Sequence, residues 1–310
     1  MHKYMVWLSL SLVWACGNKK PADNSGEMAV KWMQSAQLQY DAGMFDSALA
    51  YISKVLQTDT NHLHAKLMEG DVYWAQSDFQ RAMAAYVTGL RWQPRAPEVW
   101  ARLGKAYLLQ KDYTSALKYF EMAINANPTN ADAYVGRAMC FAAKADMEQA
   151  YLSLQTAIDF DPDNQHAMLK MGEWLMADSN YKALAYYHNA VRADSSNSRA
   201  IFLRAKAFEY FAQYKSAFGD FTRAIQMDTT NFEYIFNLAY FHFQFAEFGP
   251  ALGLFRRCMR LAPLDLDAQL GKGLCLKEMG KEDQARKCFE NMLAIDPNDA
   301  DALRELATLP

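Results

Sequence analysis

The chain lacks an excess of charge of either sign. Its 310 residues carry 32 Lys and Arg against 35 Asp and Glu, a formal net charge of −3. A nucleic-acid partner is not indicated, since such binding leaves a clustered basic footprint. Past the first residues the chain also lacks long apolar runs. None reaches the ~18 residues that would mark a membrane-spanning helix. Histidine is scarce: His2, His62, His64, His166, His188 and His242. His62 and His64 stand two apart, a poor spacing for two ligands on one helix, and no cysteine or carboxylate set accompanies them. No Walker loop, G-x-S-x-G or H-E-x-x-H occurs, so no catalytic residue, cofactor or metal site is assigned. After Cys16 the cysteines are Cys140, Cys258, Cys275 and Cys288, with no C-x-x-C pair among them. They read as small core residues. A disulfide between Cys275 and Cys288 stays open if the protein is extracytoplasmic.

What is present is apolar material, 52% of residues against 22% charged, and a strict period. The clearest stretch is Pro97 to Asn130. Trp100, Leu103, Gly104 and Tyr107 fall at i, i+3, i+4 and i+7, one face of a helix. Lys111-Asp112 breaks the pattern. Ala116, Phe120 and Ala123 then mark a second helix, which Asn127-Pro128 ends because the residue before proline is pushed out of the α region. Gly104 and Ala116 are small enough for two antiparallel helices to cross closely, with the rings of Trp100, Tyr107 and Phe120 on either side. This set of Trp, Leu-Gly, Tyr, Ala, Phe and Pro within 34 residues resembles the tetratricopeptide repeat (TPR).

The frame extends both ways through Ala48, Ala82, Ala116, Ala150, Ala183, Ala217, Ala251 and Ala285, spaced by 34 except for one step of 33 before Ala183. Eight repeats follow, at about 29–62, 63–96, 97–130, 131–164, 165–197, 198–231, 232–265 and 266–298. The first is degenerate. Thr60, Ser195 and Thr229 replace the terminal proline in the first, fifth and sixth. Asp161-Pro162-Asp163 and Asp296-Pro297-Asn298-Asp299, which look like calcium-loop fragments, are turns of this repeat. Residues 299–310 start one more helix, in which Ala302, Leu303 and Leu306 would cover the last repeat while Asp301, Arg304 and Glu305 face water. The resemblance implies an all-α fold, a right-handed TPR superhelix or α-solenoid of helix-turn-helix repeats with a C-terminal capping helix.

The first residues differ. Lys3 precedes about ten mostly apolar residues, too few to span a bilayer as a mature helix, and Val13-Trp14-Ala15-Cys16-Gly17 follows. A small residue before a cysteine behind a short apolar stretch resembles the lipobox of bacterial lipoproteins, although Val13 stands where leucine is usual and Trp14 is bulky. The resemblance implies a signal peptide over 1–15, lipid on Cys16 and a flexible tether over 16–28. The alternative is an ordinary secretory signal. The implied location is the bacterial cell envelope, on a periplasm-facing or exposed membrane surface. The outer membrane is favoured because no acidic residue stands directly after Cys16, where Gly17-Asn18 follow.

In TPR proteins the first helix of each pair lines a concave groove. Carried over, the groove positions include Trp74, Lys105, Leu108, Met139, Glu173, Phe202, Lys206, Tyr210, Phe236, Tyr240 and Phe243. The set is mostly hydrophobic, which disfavours a carboxylate clamp and suits a peptide with apolar anchors. The implied function is a non-catalytic scaffold that recruits a protein or peptide partner. The alternatives are a self-associating structural protein, with a homodimer through the weak first repeat, and a glycan-binding lipoprotein that stacks sugars on Trp74 and the groove tyrosines.

Overall fold

A computed structural model describes residues 25–309. Cys16 and the signal region lie outside the described residues. Among those described there are 17 α-helices and no strand. They are α1 (Ser25–Asp41), α2 (Phe45–Thr58), α3 (Leu63–Ala75), α4 (Phe79–Trp92), α5 (Pro97–Leu109), α6 (Tyr113–Ala126), α7 (Ala131–Ala143), α8 (Met147–Phe160) and α9 (Gln165–Ala177). Then come α10 (Ala183–Ala193), α11 (Ser198–Tyr210), α12 (Tyr214–Met227), α13 (Phe232–Gln244), α14 (Phe248–Leu261), α15 (Leu266–Glu278), α16 (Glu282–Ile295) and α17 (Ala300–Thr308). Consecutive pairs are the eight repeats. The chain divides into two compact units, one ending at Ala106 and one starting at Tyr107. Within each, a helix packs on its own partner and on the next pair.

The turns between repeats are set by short polar side chains. Asn130, Asn164, Asn197, Asn231, Asp265 and Asp299 each accept the backbone N–H three residues on, capping the first helix of the next pair. Such caps contribute about 1 kcal/mol each. Asp161 and Asp296 accept the N–H groups of Asp163 and Asn298 in the same way. The carboxylates of these turns therefore serve the backbone.

The repeat alanines Ala48, Ala82, Ala116, Ala150, Ala183, Ala217, Ala251 and Ala285 are all 0% exposed. The glycines show a finer reason for their size. A Cβ built on Gly70 would lie 2.3 Å from the ring of Tyr86, and one on Gly273 would lie 2.4 Å from the ring of Phe289. Glycine here makes room for an aromatic ring of the partner helix. Gly136 and Gly271 do the same for Phe120 and Phe255, which belong to the preceding repeat.

The missing residue of the fifth repeat falls before Ala183, as the spacing indicates, at the internal turn, and α10 has only 11 residues. Two expectations need adjusting. The tether ends before residue 28, because Ser25–Met28 already form the start of α1. The cap α17 buries Ala302 and Leu309 and half-buries Leu306, but Leu303 is 50% exposed. Glu305 turns inward instead, where Lys277 donates to it at 2.7 Å.

Candidate functional site

The first helix of each pair presents a recurring set of positions, and the structure sorts them by depth. The fifth residue of each repeat is a packing position. Met33, Leu67, Ala101, Val135, Leu169 and Phe202 are all buried. Phe202, expected in the groove, is 2% exposed and sits between Phe221 and Tyr234 at 5.9 and 4.6 Å. It is corrected to a core residue, since no ligand can reach it. Phe236, at the same position, is half-buried. It stacks on Phe232 and meets Phe255 edge-on at 5.7 Å, so its ring mainly serves the core.

In the first unit, half-buried Trp74 packs edge-on against Phe79 at 5.0 Å, and Lys105 is exposed. Nearby, Asp71 binds Arg102 through three contacts of 2.7–3.1 Å and accepts a hydrogen bond from Tyr86 at 2.8 Å. Burial and the Asp71 charge push the Tyr86 phenol far above its ordinary value. Arg102 also lines a cleft of about 550 Å³ with His62, His64, Leu67, Gln93 and Glu98. Its charge is already answered by Asp71, and His62 is committed to capping α3 through Ala65 N–H. Neither Arg102 nor His62 is therefore an uncommitted cation for an acidic ligand.

In the second unit, Leu108, Met139 and Glu173 are half-buried. Glu173 is held by Lys170 at 2.6 Å and Arg199 at 3.6 Å. Lys206 is exposed, with its ammonium 5.7 Å from the Phe202 ring. Burial raises the carboxyl pKa of neighbouring Glu209, and Lys206 partly offsets this. Tyr210 and Tyr240 are 56% and 49% exposed. The Tyr210 hydroxyl is tied to Ser179 Oγ at 2.5 Å, and Phe243 packs on Phe248 at 5.5 Å. Of the expected groove residues in this unit, Tyr210, Tyr240 and Lys206 are thus exposed and Phe243 is half-buried.

Sequence reasoning missed a second aromatic surface, carried by turns and second helices. Tyr181, Tyr214, Phe218 and Phe245 are each 42% exposed or more. Tyr181 meets Phe211 edge-on at 5.0 Å, and Tyr214 meets Phe245 at 4.9 Å. Both contacts run from the internal turn of one repeat to that of the next. The signal was available, because an aromatic recurs at the first residue of the second helix, in Phe45, Phe79, Tyr113, Tyr214 and Phe248.

The four described cysteines are free and buried. Cys275 and Cys288 lie in one core cluster as separate thiols. Burial raises Cys140 and Cys258 to about 11 and Cys275 to about 12. Among the described residues no group of three His, Cys, Asp or Glu could hold a metal ion, and no helix is long and apolar enough to cross a membrane.

Family models described as tetratricopeptide repeat match residues 33–86 and 67–131, 107–171, and 267–299, together more than half of the chain. No curated protein matches by sequence. The chain resembles a chain of the APC/C hetero-tetramer Cut9–Hcn1 (TM-score 0.63, 18% identity), over 85% of its own length and 52% of that chain, so it spans about half of that protein. It also resembles PilW, a widely conserved type IV pilus biogenesis factor, with TM-score 0.58, 20% identity and coverage of 68% and 98%. A third likeness is to YrrB, a TPR protein with an unusual peptide-binding site, with TM-score 0.53, 21% identity and coverage of 60% and 96%. At these identities the likeness concerns the fold.

Proposed function

The chain belongs to the tetratricopeptide repeat family, and on that premise we propose that it is a non-catalytic scaffold that holds a protein or peptide partner. The observation that carries this is the pair Tyr210 and Tyr240, both about half exposed on first helices of adjacent repeats in the second unit. Large rings left in water on a rigid helix face cost hydrophobic free energy unless a partner covers them. Tyrosine is also enriched among residues that dominate binding interfaces. With Lys206 and the edge of Phe243 they form an aromatic surface with one cation, suited to an extended or helical segment with apolar anchors. YrrB, a TPR protein with an unusual peptide-binding site, and PilW, a type IV pilus biogenesis factor, fit this class of work.

The same proposal places the protein in the bacterial cell envelope, anchored through lipid on Cys16 and recruiting its partner at the membrane. This part rests on the lipobox-like Val13-Trp14-Ala15-Cys16 and the apolar stretch before it. Labelling with a palmitate analogue tests it, and loss of label in Cys16→Ser is the expected result.

Binding is tested by affinity capture from solubilised membranes with the intact protein and with Tyr210→Ala, Tyr240→Ala, Phe243→Ala. Far-UV circular dichroism first confirms that the variant keeps its helices. A protein captured by the first and lost by the second supports the groove. Identical captures would remove it as the working surface.

A further inference from the structure

The first repeat breaks the pattern of the other seven at the positions that point backward along the stack. The tenth residue of a repeat docks on the repeat before it. Phe241 lies against Phe218 and Phe221 of α12, and Trp174 meets Tyr151 of α8 edge-on. The sixth residue points the same way: Arg102 reaches Asp71, and Gly136 lies under Phe120. The tenth residue is accordingly buried almost everywhere. Val72, Cys140, Ala207 and Cys275 are 0% exposed and Phe241 is 5%. In the first repeat it is Leu38, and Leu38 is 68% exposed. The sixth residue there, Gln34, is exposed as well.

A third position sharpens the contrast. The second residue of each repeat is exposed throughout, and from the second repeat on it is polar: His64, Glu98, Asp132, His166, Arg199, Glu233 and Asp267. In the first repeat it is Val30, 57% exposed. Val30, Gln34 and Leu38 follow at i, i+4 and i+8, so α1 carries one apolar–amide–apolar stripe on the side where a preceding repeat would stack. The opposite end is treated differently. There α17 covers the eighth repeat with Ala302, Leu306 and Leu309.

We propose that this stripe of α1 is the interface of a homodimer, with α1 packed antiparallel on α1 of a second copy about a two-fold axis at Gln34. The stripe is self-complementary in that arrangement. Val30 falls opposite Leu38 of the second copy, Leu38 opposite its Val30, and the two Gln34 amides can each donate to and accept from the other. A two-fold interface pairs residue i with j and j with i, and this stripe meets that condition with apolar on apolar and amide on amide. Glu27 and Asp41 fall at the rim near their counterparts, and each is already held within its own helix, by Lys31 at 2.7 Å and by Gln37 at 2.8 Å. The residues directly before α1, Gly17 to Asn24, are polar and contain Pro21, so they offer little apolar cover of their own. One face of a 17-residue helix is smaller than a standard interface of roughly 1,600 Å², so a weak dimer is expected.

The test uses the mature chain from residue 16 with Cys16→Ser, so that neither lipid, a Cys16 disulfide nor the apolar residues 1–15 contribute. Light scattering over roughly 1–100 μM should show the mass rising from one chain to two. Val30→Glu with Leu38→Glu should raise the dissociation constant at least about tenfold while leaving circular dichroism and Tm unchanged, since both side chains are exposed. Gln34→Cys under mild oxidation should give a covalent dimer on a non-reducing gel, and Ala50→Cys on α2 should not. A wild-type chain that stays monomeric throughout overturns the proposal, as does a double variant that still dimerises. A monomer whose Tm falls on Leu38→Glu would show that the face is covered by the chain's own preceding residues, which also overturns it.

Discussion

The junction of the second and third repeats and that of the sixth and seventh use two backward-pointing positions, the sixth residue and the tenth, with different chemistry. In the first unit, Arg102 reaches back to a carboxylate, Asp71, which Tyr86 also binds. In the second unit, Phe241 reaches back into a nest of Tyr214, Phe218 and Phe221. An ion pair with side chains about 30% exposed gains little over its hydration. Buried rings gain in proportion to the area they remove from water. The polar junction should therefore fix register at modest stability, and the aromatic one should carry more of the stability of its unit.

The largest expected effect is at the aromatic junction. Phe241→Ala should destabilise the second unit by about 3–4 kcal/mol, because the removed ring leaves a cavity that helices cannot collapse around. Urea unfolding followed by circular dichroism measures it. A loss below about 1 kcal/mol would mean that the nest repacks, and the contrast between the junctions would disappear.

Alkaline pH separates the two units by another route. The first unit has no cysteine among its described residues, whereas Cys140, Cys258 and Cys275 lie in the second. Burial raises their folded values to about 11, 11 and 12. A group raised on folding stabilises fully below its unfolded value and loses that contribution as pH climbs through the folded one. The second unit should thus weaken from about pH 9 upward, starting near the unfolded thiol value. Thermal melts at pH 8, 9 and 10, compared with a Cys140→Ala, Cys258→Ala, Cys275→Ala variant, should show a steeper fall in the wild type. Equal slopes would rule the thiols out.

At the polar junction the effect is smaller. Asp71→Ala leaves Arg102 and the Tyr86 hydroxyl without their acceptor and should cost about 1–2 kcal/mol. Arg102→Ala in the same background should cost little more. A double-mutant cycle reads the coupling, and full additivity would deny that the pair ties the repeats together.

The sequence announced the repeats because each places small and large residues at fixed offsets, and packing requires them there. It did not announce depth. Phe202 and Tyr210 lie two turns apart on one helix, and both looked like groove residues. The first is core because it faces the neighbouring repeat, and periodicity within one helix says nothing about a neighbour. Missing prolines were legible, but their replacements were not. Where Ser195 and Thr229 stand in place of proline, Arg223 and Arg257 of the following repeats donate to their carbonyls. That bond joins residues 28 apart and has no local signal. The exposed stripe of α1 is the reverse case. Val30 and Leu38 are ordinary residues until the same positions are compared across eight repeats.

The smallest expected effect lies in the turns inside the repeats. One residue there has positive φ in every repeat: Gly43, Ser77, Lys111, Ala145, Ser179, Ala212, Ala246 and Gly280. Glycine occupies this position at no steric cost, whereas an alanine pays for its Cβ against the following carbonyl. The aromatic sixth and seventh repeats use alanine, at φ 57° and 59°, and the eighth uses glycine at 69°. Ala246→Gly should relieve more strain than it adds in chain entropy, for a net gain of about 0.5–1 kcal/mol. Gly280→Ala should lose a similar amount. Melts of the two variants, run side by side, make the comparison. If Ala246→Gly destabilises, then its methyl group packs in the aromatic turn beside Phe245 strongly enough to outweigh the backbone. That turn would then be a built surface rather than a strained connection.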